Sequence, residues 1–219
     1  MRPHFLLFII PFISVQICAQ INEDFSDGDF TNNPTWQGDV NNFIVNTNNE
    51  LQLNAPSVTD TSFLSVETGI LDLSSNVSWE FYVKLDLSPS NSNNFRFYLT
   101  SDNANLKGSL NGYFIRVGEN GSTDKIKLYR QDGINTTLLA TGLNGSYGVN
   151  PEFKVKVNRD VNGNWELLSD SLGGTNFIYE GGATDVYYSY LSGGDFLPEV
   201  FVGRISVNSS SDISNVINK

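Results

Sequence analysis

Cysteine, histidine and methionine occur once each in the 219 residues, as Cys18, His4 and Met1, and none recurs after position 18. The rest of the chain has no thiol for a disulfide, no thiolate nucleophile, no imidazole base and no soft metal ligand. Zinc sites and thiol–imidazole or serine–histidine catalysis are excluded from it. Stability must therefore come from buried apolar surface. Charge is also sparse, at 17% of residues against about 25% in an average soluble domain. Cations are the scarcer sign, with 13 Lys and Arg against 24 Asp and Glu, for a net charge of -11. Phosphate backbones call for clustered Lys and Arg, so nucleic acid is not an expected partner.

Long apolar runs are missing too. The longest, Phe5 to Ile13, is interrupted by Pro11 and is shorter than the roughly 20 residues that span a bilayer. With Arg2 ahead of it and the small Ala19 behind, Met1–Ala19 reads as a cleavable secretory signal. Cys18 leaves lipidation as an alternative, although the bulky Ile17 stands where such sites carry a small residue. The expectation is a secreted or cell-surface protein, without a transmembrane segment after cleavage. It would act as a monomer or as part of a larger chain.

What the chain does have is alternation. Val77, Trp79, Phe81, Val83, Leu85 and Leu87 point one way and Ser78, Glu80, Tyr82, Lys84 and Asp86 the other. One apolar and one polar face is the pattern of an antiparallel sheet packed on a single side. Phe95, Phe97 and Leu99 repeat it, as do Tyr113, Ile115 and Val117, and Phe153, Val155 and Val157. Shorter strands are expected at Phe43–Asn46, Glu50–Asn54, Ser62–Glu67, Lys125–Gln131, Thr136–Thr141, Asn164–Ser169, Val186–Leu191 and Val200–Val207. Asn162-Gly163 predicts a hairpin with a type I′ turn, and Asp132-Gly133 and Asn48-Asn49 are weaker turn signals. No window carries a helical period. The reading is all-β, with two packed antiparallel sheets over residues 20–208 and a flexible tail or linker from Ser209 to Lys219.

Asp24-Phe25-Ser26-Asp27-Gly28-Asp29-Phe30, Trp36, Trp79-Glu80-Phe81, Asn111-Gly112-Tyr113-Phe114 and Arg159-Asp160 with Asn162-Gly163-Asn164-Trp165-Glu166-Leu167 add a resemblance. The chain resembles the concanavalin-A-like (laminin-G or lectin/glucanase-like) jelly-roll modules of exported bacterial surface proteins, including those with lamin-tail domains. The resemblance implies a curved sandwich of about 12 to 14 strands. It also implies that the first and last strands pair, with Phe25 near Phe201.

Jelly-roll glycanases place acid and nucleophile on one strand as Glu-x-Asp-x-x-Glu, about 5.5 Å apart when configuration is retained. This sequence has no such run, so no catalytic residue is expected. Glu80, Tyr82, Lys84, Arg96, Tyr98, Arg116 and Tyr129 fall on the polar sides of their strands. Together they would suit a polysaccharide or surface glycan, with Tyr rings on sugar C–H faces and charged groups on hydroxyls. The plainer alternative is tyrosines that pair across strands and charges that solvate a sheet. Asp24, Asp27 and Asp29, with Glu199 brought close by paired terminal strands, form a candidate structural Ca²⁺ set. An Asp- and Gly-rich turn without metal is the alternative. The expected function is a non-catalytic binding module, with a structural or adhesive protein–protein module and a jelly-roll glycoside hydrolase as rivals.

Overall fold

A computed structural model describes residues 21–56, 60–70, 73, 75–121, 123–145, 147–188, 198–207 and 215–218. The expected signal at Met1–Ala19 lies outside the described residues. In chain order the strands are β1 (Trp36–Gly38), β2 (Phe43–Val45), β3 (Leu51–Leu53), β4 (Asp60–Ile70), β5 (Val77–Leu85), β6 (Asn94–Ser101) and β7 (Leu110–Val117). They continue as β8 (Lys127–Gly133), β9 (Asn135–Thr141), β10 (Glu152–Arg159), β11 (Asn164–Asp170), β12 (Ile178–Thr184), β13 (Pro198–Val207) and β14 (Asn215–Asn218). One seven-stranded sheet runs β1-β4-β13-β6-β7-β8-β9 and the other β12-β11-β10-β5-β14-β3-β2. Every pairing is antiparallel.

Alternation decides which side faces inward. Trp79, Phe81, Val83 and Leu85 of β5 are buried beside Phe153, Val155 and Val157 of β10. The opposing layer offers Phe95, Phe97 and Leu99 of β6 and Tyr113, Ile115 and Val117 of β7. Rings join the two layers: Phe81 stacks on Phe97 with centroids 3.7 Å apart, and Tyr113 meets Trp165 at 4.6 Å. The layers also meet at one edge, where the Leu143 N–H donates to the Glu180 carbonyl at 2.9 Å.

Four expectations are corrected. Asn215–Asn218 is no tail but a strand between β5 and β3; its short Asn-flanked Val216-Ile217 pair gives too little pattern to read in sequence. Of the strand expected at Val186–Leu191, the described part, 186–188, is not strand but loop and turn and the rest lies outside the described residues; a strand stands earlier, at Ile178–Thr184, where Gly181 and Gly182 broke the alternation. The first and last strands do not pair: β1 and β13 flank β4, so that Trp36 and Phe201 both face Val66 from opposite sides. Phe25 instead packs its ring against Trp36, 6.1 Å between centroids.

The hairpin at Asn162-Gly163 joins β10 to β11, but only Gly163 has positive φ (+77°), so the turn is not type I′. The Gly163 N–H donates to the Asp160 carbonyl at 3.0 Å, and the Asp160 carboxylate accepts from the N–H of Asn162 and of Asn164. The β2–β3 turn repeats this design, with Asn46 in the place of Asp160 and Asn49 (φ +60°) in the place of Gly163. An Asx side chain that bridges the turn, followed by a left-handed residue, replaces the need for two positive φ values.

Phe81→Ala is expected to lower stability by about 3–5 kcal/mol in denaturant unfolding, because the ring is lost from both layers at once. Ile134→Ala, at a side chain 83% exposed, should stay within about 0.5 kcal/mol. Asp160 is held below its ordinary value of 3.8 by hydrogen bonds from Asn164 and Asn162. Its contribution is then complete above the unfolded pKa and lost as pH falls through the folded one. Melting curves should show wild type above Asp160→Ala at pH 7, with the gap closing as the pH is taken below about 4. A gap that widens with acid would refute the assignment.

Candidate functional site

Three consecutive strands each carry a cation and an aromatic ring two positions apart: Arg96 and Tyr98 on β6, Phe114 and Arg116 on β7, Lys127 and Tyr129 on β8. Two-residue spacing puts both on one side of a strand. Antiparallel neighbours face like to like only if the middle pair is written in reverse, as it is here. In the sheet Arg96 faces Arg116, which faces Lys127, and Tyr98 faces Phe114, which faces Tyr129. The register adds Arg204 of β13 opposite Arg96. A cationic rung thus lies beside an aromatic rung on the outer face of one sheet.

The aromatic rung is built from direct contacts. Phe114 and Tyr129 stack with centroids 5.1 Å apart and planes within 7°, and Tyr98 lies 5.0 Å from Phe114. The Arg96 guanidinium sits 5.0 Å above the Phe114 ring, an arrangement that holds it flat on the sheet. Leu106, in the loop between β6 and β7, packs with Tyr98, Leu110 and Phe114 and covers one end of the rung. Tyr98 is consequently 0% exposed and donates its hydroxyl to Gln131 Oε1 at 2.8 Å. It is part of a second, smaller core and not a surface ligand group. Tyr129 stays half-buried at the open end.

The cationic rung is unevenly neutralised. Lys127 is ion-paired to Glu119. Arg116 donates from Nη2 to Asn91 Oδ1 at 3.0 Å and more weakly to the Asn91 carbonyl at 3.5 Å. Among the described residues neither Arg96 nor Arg116 has a carboxylate in ion-pair range, and the buried Nε atom of each has no hydrogen-bond partner. Burial and the facing Arg96 charge pull the Arg116 pKa down from its ordinary value.

Glu80, Tyr82 and Lys84 lie on the other sheet, across the core from Arg96, Tyr98, Arg116 and Tyr129. The seven residues do not form one groove. Glu80 accepts from Lys154 at 2.6 Å and lies 3.8 Å from Lys156, Tyr82 donates to Glu152 at 2.6 Å, and Lys84 faces Glu152 in register. Burial and the Glu152 carboxylate push the Tyr82 pKa up. Glu80 is thus met by cations and Lys84 faces a carboxylate in register, the arrangement of a solvated sheet surface.

The candidate Ca²⁺ residues near the amino terminus are engaged in backbone turns. Asp24, Asp27 and Asp29 each accept the N–H of the residue two positions on, at 3.0, 3.0 and 2.7 Å. The Thr31 N–H and the Asn32 and Thr31 side chains, all donating to Asp29, hold its pKa at about 2. Glu199 faces Gly69 in register, toward the far end of β13 from Arg204. Among the described residues no three His, Cys, Asp or Glu side chains gather into a metal site.

Sequence reasoning passed over Phe114 and Lys127, although the reversed cation-x-aromatic spacing on neighbouring strands signals both. It also missed a hub at one end of the sandwich. There Asp185 accepts from Tyr113 at 2.6 Å and from Arg130 at 2.5 Å, while Arg130 also holds Asp132 at 3.1 Å. Tyr188 donates to Asp132 at 2.5 Å. Partners this distant in sequence leave no local pattern. The contacts occupy both carboxylates and fix the Tyr187–Tyr188 loop, with Arg130 4.0 Å from the Tyr187 ring.

Tyr98→Phe should cost about 1 kcal/mol in unfolding experiments, the worth of one buried hydrogen bond. Leu106→Ala should cost about 2–5 kcal/mol, because it removes the cover of the outer cluster.

No curated protein matches the chain by sequence. The profile of peptidase family C25 matches residues 121–219, less than half of the chain and a stretch without Cys or His. That stretch supplies β8–β14, which are interleaved in both sheets with earlier strands. Among solved structures, the legume lectin-like domain from Entamoeba histolytica aligns with TM-score 0.58 at 15% identity, over 94% of this chain and 96% of that one. The exoplasmic/lumenal domain of VIP36, in its Ca²⁺/Man3GlcNAc-bound form, aligns with TM-score 0.56 at 14% identity, over 84% and 81%. The Bacillus licheniformis β-glucanase aligns with TM-score 0.53 at 11% identity, over 89% and 92%. Among the described residues no helix is long and apolar enough to cross a membrane. The chain is an all-β, two-sheet antiparallel jelly-roll sandwich of the concanavalin-A-like kind.

Proposed function

We propose that this protein is a non-catalytic, exported glycan-binding module whose ligand lies on the outer face of β6–β8. The carrying observation is the pair of Arg96 and Arg116, which no carboxylate among the described residues neutralises, beside the half-buried ring of Tyr129. Guanidinium donors and a ring plate are the chemistry that sugars take up, through hydroxyl hydrogen bonds and C–H stacking. The likeness to lectin-like domains supports a fold on which such a face works, and the β-glucanase likeness supports that fold equally.

The non-catalytic reading is supported by the state of the carboxylates. Glu80 is held by Lys154 and Lys156, and Asp132 and Asp185 are bridged by Arg130. Carboxylates held in ion pairs are poorly placed to act as the acid and nucleophile of glycoside hydrolysis. Calcium has no part in this reading.

Purified protein is expected to be retained on at least one immobilised polysaccharide equally with and without Ca²⁺. Tyr129→Ala should weaken that retention, while Glu80→Gln should leave it unchanged. Failure to bind any polysaccharide in a broad panel would overturn the reading in favour of a structural or adhesive module. Reducing-sugar assays should show no release, and release abolished by Glu80→Gln would restore the hydrolase.

A further inference from the structure

Only 13 residues of the chain are Lys or Arg, against 24 Asp and Glu. Yet Arg96, Arg116 and Lys127 occupy one continuous cross-strand rung on β6, β7 and β8, in backbone register with Arg204 of β13. Neighbouring strands lie about 4.8 Å apart, so the three cations are set at that interval across roughly 10 Å of sheet. Like charges directly opposite one another destabilise a sheet. Elsewhere the fold avoids this: Glu80 is placed between Lys154 and Lys156, and Lys84 faces Glu152. Of Arg96, Arg116 and Lys127, only Lys127 is answered by a carboxylate among the described residues, Glu119.

The two middle arginines are also prepared in geometry. Phe114 supports the Arg96 guanidinium from below, and Asn91 holds Arg116 through neutral oxygens, which orient a guanidinium without cancelling its charge. The buried Nε of each has no partner among the described residues. Fixed guanidinium forks of this kind match planar or tetrahedral oxyanions, carboxylate and sulfate above all. One isolated anion would engage one or two cations. A row of cations at regular intervals fits a polymer that carries an anionic group on successive units, and the adjoining half-buried Tyr129 ring fits a sugar body beside them.

We infer that the glycan taken up by this face is an acidic polysaccharide, lying across the strands with its carboxylate or sulfate groups on Arg96, Arg116 and Lys127. The inference rests on the glycan-binding reading above and narrows it to one ligand class. The overall charge of -11 then makes binding selective, since a polyanion lacking sugar stacking is repelled by the rest of the surface.

Calorimetric titration of the full chain with four probes tests it: a polyuronate, a sulfated polysaccharide, neutral dextran and single-stranded DNA. The expected result is binding of the polyuronate, the sulfated polymer or both, with whichever binds identifying the oxyanion, and none of dextran or DNA. Affinity should fall about tenfold for Arg96→Gln or Arg116→Gln and on the order of a hundredfold for the double variant. It should also fall steeply as salt is raised from about 0.05 to about 0.5 M. Arg96→Lys should recover only part, because charge without the fork is retained. The double variant's far-UV circular dichroism and melting temperature should match wild type or exceed it, so that lost binding is not lost fold. Dextran binding unaffected by the double variant would overturn the acidic-ligand inference and leave glycan binding standing. DNA bound as tightly as the acidic glycans would overturn the selectivity, and silence with all polysaccharides would remove both readings.

Discussion

Phe81 of β5 lies flat on Phe97 of β6, with ring planes 7° apart, and through that contact one sheet is held in register against the other. No disulfide is available after Cys18 to share the task, so the sandwich depends on its aromatic interior: Trp79 on Trp165 within one layer, Tyr113 against Trp165 between layers. The same constraint sets the outside. A slip of one residue along β6 would put Arg96 and Tyr98 into the core and Phe95 and Phe97 into water. Core and candidate site are two consequences of a single choice of face.

The two outer faces begin alike and end differently. Both alternate polar groups over a buried face, yet the β5–β10 surface pairs its charges, Lys154 and Lys156 on Glu80 and Tyr82 on Glu152. The β6–β8 surface places like beside like and covers part of its ring plate with Leu106. Cross-strand repulsion costs stability, and proteins accept such costs most often where a site is built. The hub of Asp185, Arg130 and Asp132 differs again: its charges are mutually satisfied and serve to anchor the loop after β12.

Period-2 alternation made the long strands legible, because residues such as Trp79, Phe81 and Val83 are either buried or not. It failed where a strand is too short or too glycine-rich to show a period, as at Trp36–Gly38, Ile178–Thr184 and Asn215–Asn218. The polar side of each long strand could be read strand by strand, but the assembly of those sides could not. Alternation tells which side of its own strand Tyr82 or Tyr98 takes, and nothing about which sheet receives that strand; β5 and β6 are consecutive and sit in opposite sheets. Nor could it tell that the Leu106 loop closes over Tyr98. The turn at Asp160–Asn164 was located from Asn162-Gly163 alone, while its geometry depended on the Asp160 side chain.

On the proposal above, the β6–β8 face, and not its counterpart across the core, receives an acidic glycan. Backbone amide shifts followed by NMR during titration with a short acidic oligosaccharide report on both faces at once. Shifts should cluster at Arg96, Phe114, Arg116, Lys127 and Tyr129, with Glu80, Tyr82, Lys154 and Lys156 unmoved. Shifts centred on Glu80 and Tyr82, or on the Asp185 loop, would contradict it.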